Sequence, residues 1–149
     1  MITYHVESIH PFAEEARELF QLHYNEIADK TMELDYDVGY YENMEKRGIL
    51  VVHTIRNDGM LIGYHTWIVS RHPRYRGTLM ANSDILFLRP DQRFGFVAYK
   101  FLKWSVADLA ARGVTRLLFH MKPHLDFSKL IERMGGKFFE KTYSLTLEK

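Results

Sequence analysis

Apolar and polar positions along the chain change period several times, and each change marks an element. Ile2 to Val6 alternates weakly and is rich in β formers, which predicts a first strand near a sheet edge. Pro11 opens a helix in which Phe12, Ala16, Leu19, Phe20, His23 and Ile27 share one stripe, with Glu14 and Glu15 in the first turn, where they complement the dipole. Asp35-Tyr36-Asp37 supplies the cap of a shorter second helix running to about Arg47 and ended by Gly48. Tyr40, Tyr41 and Met44 fall on or near one side of it, placed either to pack or to line a pocket. Ile49 to Ile55 and Met60 to Val69 read as strands joined through Asn57-Asp58-Gly59, a strong hairpin signal.

Ser70 to Thr78 is a basic loop containing proline and glycine, with Arg71, His72, Arg74 and Arg76 as its positive candidates. Ile85-Leu86-Phe87-Leu88 is then a short, continuously apolar run closed by Pro90-Asp91. From Val97 the apolar residues recur with a helical period to Leu109, and Gly113 stops that helix. Thr115 to Met121 predicts a strand parallel to the Ile85–Leu88 strand, completing a βαβ unit. Asp126 caps a last helix carrying Phe127, Leu130, Ile131 and Met134, ended by Gly135-Gly136. The tail, Phe138-Phe139 and Thr142 to Leu147, alternates as one or two closing strands.

A strand that feeds straight into a helix leaves unpaired N–H groups at the positive end of the dipole, a cradle for an anionic phosphate. The intervening turn, Gln92-Arg93-Phe94-Gly95-Phe96-Val97, resembles the Gln/Arg-x-x-Gly-x-Gly/Ala loop that holds the coenzyme A pyrophosphate in the GNAT superfamily of acyl-CoA N-acyltransferases. Gln92 and Gly95 match that loop; Val97 replaces its last small residue, with Ala98 one step later. The resemblance covers nearly the whole chain, since Gly48 to Trp67 looks like the family's second and third strands and Phe127 to Gly135 like its last helix. The chain is close to small acyltransferase-like proteins of bacterial and phage genomes.

The resemblance implies an α/β GNAT fold: a mixed central sheet of six or seven strands, about four flanking helices and a splayed parallel strand pair. It places the acyl thioester between the strand of Leu86 to Leu88 and that of Leu117 to His120. It further implies that backbone near Phe87, Leu88 and Arg89 pairs with the pantetheine arm, and that amides of Arg93, Phe94, Gly95, Phe96, Val97 and Ala98 hold the pyrophosphate. The cosubstrate would be acetyl-CoA or a related acyl-CoA. The basic loop around His72 fits a solvated hairpin tip, or contact with substrate or with the 3′-phosphate of coenzyme A.

Acylating an amine requires a group that takes a proton from the ammonium. Asp84, a carboxylate in an otherwise apolar strand where burial would raise its pKa, is one candidate; His120 and His124, flanking the mouth of the other splayed strand, are the alternatives. Many members of the family carry a tyrosine acid four residues before the glycine that ends the last helix; here that position is Ile131, which leaves protonation of the thiolate to Ser128, His124, Tyr143 or water.

Composition narrows the classes. The chain has 149 residues, 46% of them hydrophobic and 26% charged, the size of one domain with a sizeable core. A net charge of +1 gives no bulk reason to expect nucleic acid, and the absence of cysteine removes disulfide, zinc-thiolate and thiol-nucleophile chemistry. No apolar run approaches a membrane span, and the N-terminus lacks a leader pattern, so a cytoplasmic protein, monomer or homodimer, is expected. His120-x-x-x-His124 straddles Pro123, against the helical pair a metal would need, so no metal is expected. The sequence therefore predicts an N-acyltransferase acting on a small-molecule or peptide amine. The rival is a GNAT-like domain that binds a protein partner, with coenzyme A structural or absent.

Overall fold

The computed structural model describes residues 1–27, 29 and 31–148. Five strands form one sheet in the order β1-β2-β3-β4-β5. β1 (Ile2–Val6), β2 (Leu50–Asn57), β3 (Met60–His72) and β4 (Tyr75–Leu88) are successively antiparallel, and β5 (Arg116–Leu118) lies parallel to β4. Helices α1 (Ile9–Glu15), α2 (Arg17–Ile27) and α3 (Val38–Lys46) pack on one face, where Phe12, Leu19, Phe20 and Met44 meet Leu50, Val52, Tyr64 and Phe87. α4 (Val97–Ala111) packs on the other through Phe101 and Leu109, against Ile55, Ile62, Leu88 and Trp67. A short α5 (Ser128–Arg133) follows β5.

Local chemistry accounts for most of these boundaries. The first amphipathic run begins at Ile9, with Pro11 in the first turn, where a missing N–H costs nothing because that turn has no acceptor for it. α1 and α2 adjoin at Ala16, whose N donates to Phe12 O and whose carbonyl accepts from Phe20 N, so the helical ladder runs through. The Asp37 side chain accepts from Tyr40 N at 2.9 Å and caps α3 as expected. Asp58 (φ 50°) and Gly59 (φ 84°) both occupy the left-handed region, the conformation a two-residue hairpin turn needs.

Three expectations are corrected. Ser70 to Thr78 is the hairpin tip expected of the basic cluster, but little of it is loop: β3 runs to His72 and β4 starts at Tyr75, so ladder hydrogen bonds carry the strands out past the core on polar side chains. The strand expected over Thr115 to Met121 keeps only Arg116–Leu118, paired with Met80–Asn82. The closing strands at Phe138-Phe139 and Thr142 to Leu147 do not form, so the sheet has five strands among the described residues rather than six or seven. Phe138, Phe139, Tyr143, Leu145 and Leu147 are 60% to 87% exposed. Alternation alone cannot make a strand without a neighbouring ladder, and a three-residue β5 offers little edge to pair with.

Candidate functional site

β4 pairs with β5 only over Met80–Asn82, so beyond Asn82 its outer edge is open. At its end, Arg89 N donates to Ile62 O and Arg89 O accepts from Gln92 N, while the Phe87 carbonyl turns toward Gly63 of β3. Strand alternation therefore aims the N–H and C=O of Leu88 at the open edge. Of Phe87, Leu88 and Arg89, only Leu88 turns both backbone groups to that edge, and its carbonyl accepts from Arg93 Nε.

A 3₁₀ turn at Pro90–Gln92 leads into the loop before α4. Arg93 N is taken by Pro90 O at 3.2 Å and Val97 N reaches Phe94 O at 3.4 Å, both i to i+3 bonds of tightened turns. The amides of Phe94, Gly95, Phe96 and Ala98 have no acceptor among the described residues and sit at the head of α4. The unpaired set is thus narrower than the six amides, Arg93 to Ala98, expected to hold a pyrophosphate. Gly95 has φ 57° and open space where a Cβ would stand, and the exposed rings of Phe94 and Phe96 flank it. Val97 packs inward on the Ile55, Ile62, Leu88 and Phe101 cluster, so its branched side chain does not fill the cradle.

Asp84 is exposed, not buried as its apolar surroundings in sequence imply. Register explains this. Thr66 pairs with Ile85 and Trp67 with Ser83, leaving Asp84 as the extra residue of a β-bulge, a device that re-aims a side chain. Its Oδ2 accepts from Tyr41 Oη at 2.7 Å and from Thr66 Oγ1 at 2.9 Å, and Oδ1 has no partner among the described residues. Burial, then the Asp84 charge and hydrogen bond, push the Tyr41 hydroxyl well above its ordinary pKa, so it stays a donor; Tyr36, beside it, is pushed up to about 12, by burial first and the Asp84 charge second.

The histidines are placed apart from this carboxylate. His120 is exposed, with no hydrogen bond among the described residues. His124 Nε2 lies 2.9 Å from Glu26 O; a carbonyl only accepts, so Nε2–H donates. The same Glu26 grips Arg93 with both carboxylate oxygens, at 2.6 and 2.9 Å, while Arg93 Nε donates to Leu88 O at 2.6 Å. Beneath, His23 is buried, stacked on Phe87 at 5.0 Å and edge-on to Tyr64; burial pulls its pKa down to about 4. Glu26 carries no periodic signal, and its partners are 67 and 98 residues away, so sequence reading passes over it. His23 is visible only as one position of the α2 stripe. Among the described residues no three His, Asp or Glu side chains gather as a metal site would need.

No family model and no curated protein matches the sequence. Solved structures match its shape. A ribosomal-protein-alanine N-acetyltransferase from Brucella melitensis biovar Abortus 2308 is similar at TM-score 0.74 and 17% identity, over 99% of this chain and 100% of that one. A predicted acetyltransferase from Clostridium acetobutylicum, solved with acetyl-CoA, is similar at TM-score 0.71 and 13% identity, over 98% and 96% of the two chains. A transcriptional regulator from Bacillus halodurans C-125 is similar at TM-score 0.78 and 11% identity, over 99% and 100%. The chain has the GNAT fold.

Proposed function

We propose that the chain acts as a single-domain acyl-CoA-dependent N-acyltransferase, transferring an acetyl or related acyl group to a primary amine by direct attack. The observation that carries this reading is the succession of a β4 edge without a strand neighbour at Leu88, the amides of Phe94, Gly95, Phe96 and Ala98, unpaired among the described residues, and the N-terminus of α4. Together they offer backbone donors to a pantetheine arm and to a pyrophosphate. Acetyl-CoA supplies the activated acyl group. The amine nitrogen forms the new C–N bond as the C–S bond breaks, and the departing thiolate is protonated by water or a nearby donor.

Asp84 is assigned the proton taken from the incoming ammonium. Tyr41 and Thr66 hold its Oδ2, leaving Oδ1, unpartnered among the described residues, as the acceptor. His124, whose Nε2 is taken by the Glu26 carbonyl, and His120 are the alternatives on the other side of the opening. Asp84→Asn keeps an oxygen for the Tyr41 and Thr66 bonds but removes the base; its expected effect is a loss of roughly 10²–10⁴ in turnover with an unchanged fold. Full activity in that variant would move the base to a histidine.

Binding is tested first by the thermal midpoint with acetyl-CoA, coenzyme A and ATP. Ligand at 100 times its dissociation constant adds about 2.7 kcal/mol, a rise of roughly 5–10 °C for a chain of this size. A rise with acetyl-CoA and not with ATP supports the reading. One feature favours the rival, a partner-binding domain: the Arg93 side chain already occupies Leu88 O. No shift with any of the three ligands would support that rival.

A further inference from the structure

We propose that Arg93 controls cosubstrate access. In the free protein its side chain covers the pantetheine edge of β4, Glu26 holds it there, and a pyrophosphate in the cradle draws it off. The inference rests on the acyltransferase reading above. It adds a specificity mechanism: the protein selects acyl groups carried on a phosphorylated pantetheine over those carried on pantetheine alone.

The geometry is that of a three-point clasp. Arg93 Nε donates to Leu88 O at 2.6 Å, its terminal nitrogens lie 2.9 and 2.6 Å from the two Glu26 oxygens, and its guanidinium sits over the Phe87 ring at 5.4 Å. Leu88 is the one residue at the end of β4 whose backbone groups both face the open edge, so the clasp covers the place where an added amide would pair. Glu26 extends the clasp across the opening, because its own carbonyl accepts from His124 in the segment after β5. One residue of α2 thus ties the end of β4 to the far side of the splay.

Charge decides which ligand opens it. A neutral pantetheine offers Arg93 nothing better than a carboxylate. A pyrophosphate on the free amides of Phe94, Gly95, Phe96 and Ala98 sits within the same short loop as Arg93 and presents oxygens that a guanidinium fork binds bidentately. Once the fork turns to the phosphate, Leu88 O is released to the pantetheine arm. An ion pair that merely braced the fold would affect every ligand alike, and on this difference the two roles separate.

Calorimetric binding of acetyl-CoA and of acetyl-pantetheine, which lacks all phosphates, to wild type, Arg93→Met and Glu26→Gln provides the test. Arg93→Met is expected to weaken acetyl-CoA roughly tenfold or more, through loss of a charge-assisted pair, while tightening acetyl-pantetheine several-fold. Glu26→Gln, which frees Arg93 without removing it, is expected to tighten acetyl-CoA. Parallel weakening of both ligands in Arg93→Met, or weaker acetyl-CoA binding in Glu26→Gln, overturns the inference while leaving the acyltransferase reading intact. Wild-type protein that binds neither ligand overturns both. Should Arg93→Met fail to fold, the sign of the Glu26→Gln effect on acetyl-CoA binding decides the matter alone.

Discussion

His23 shows how one buried side chain sets a pH window. It is 5% exposed, and burial holds its pKa near 4 in the folded protein against 6.5 for a free imidazole. Between those values the unfolded chain binds the extra proton, so stability rises with pH through this range and is lost as pH falls from about 6.5 toward 4. The shift corresponds to about 3 kcal/mol at the residue. His53 and His65, buried beneath α4 beside Asp108 and Ser83, are displaced in the same direction, in both cases chiefly by burial. The thermal midpoint is therefore expected to fall by roughly 10 °C or more between pH 7 and pH 4.5. His23→Leu is expected to flatten that slope, and an unchanged slope in the variant would assign it to the other two histidines. Sequence shows His23 as one apolar-stripe position among six; its partners Phe87 and Tyr64 come from two different strands and are invisible to periodicity.

Elements were legible where a local rule sets them. The Asp58-Gly59 turn, the Asp37 cap and the Gly113 stop each depend on a residue type that suits one backbone conformation, and each stands where the chain places it. What depends on register was not legible. Asp84 draws attention in sequence as a carboxylate in an apolar strand, but its exposure follows from a bulge defined by Thr66 and Trp67 on β3, 17 or more residues away in the chain. The Glu26–Arg93 clasp likewise needs α2 and the α4 loop brought together. Gly63 is where β3 supports this end of the site: a Cβ there would lie 2.6 Å from the Phe87 carbonyl and 2.9 Å from Ile55. Backbone cannot yield as a side-chain tip can, so Gly63→Ala must push the end of β4 outward. The expected result is a loss of about 1–3 kcal/mol, measured by denaturant unfolding, with weaker acetyl-CoA binding because Leu88 moves too. A variant with wild-type stability would mean that β3 and β4 separate there without cost.

Over the whole molecule the apolar pattern and the packing part company at the C-terminal tail. Thr142 to Leu147 alternates, with Tyr143, Leu145 and Leu147 on one side, and this local pattern is at least as regular as the weak alternation of β1. The difference lies in what each meets: β1 has five residues of β2 to pair with, whereas the tail follows a β5 of three residues and forms no ladder. On the sheet side, Arg116 lies over the Phe139 ring at 5.8 Å. Apolar surface stabilises at about 25 cal/mol per Å² only when it leaves water, and these side chains stay in it. Deleting residues 141–149 is therefore expected to move the thermal midpoint by no more than about 2 °C, less than ~1 kcal/mol for a chain of this length, and to leave acetyl-CoA binding unchanged. The truncated chain is also expected to stay monodisperse to higher concentration, since an exposed apolar strand pattern favours association. A fall of 5 °C or more on truncation would show that the tail finds an edge in solution, and the oligomeric state of the full chain, compared with that of the truncated one, would then tell whether that edge belongs to its own sheet or to another copy's.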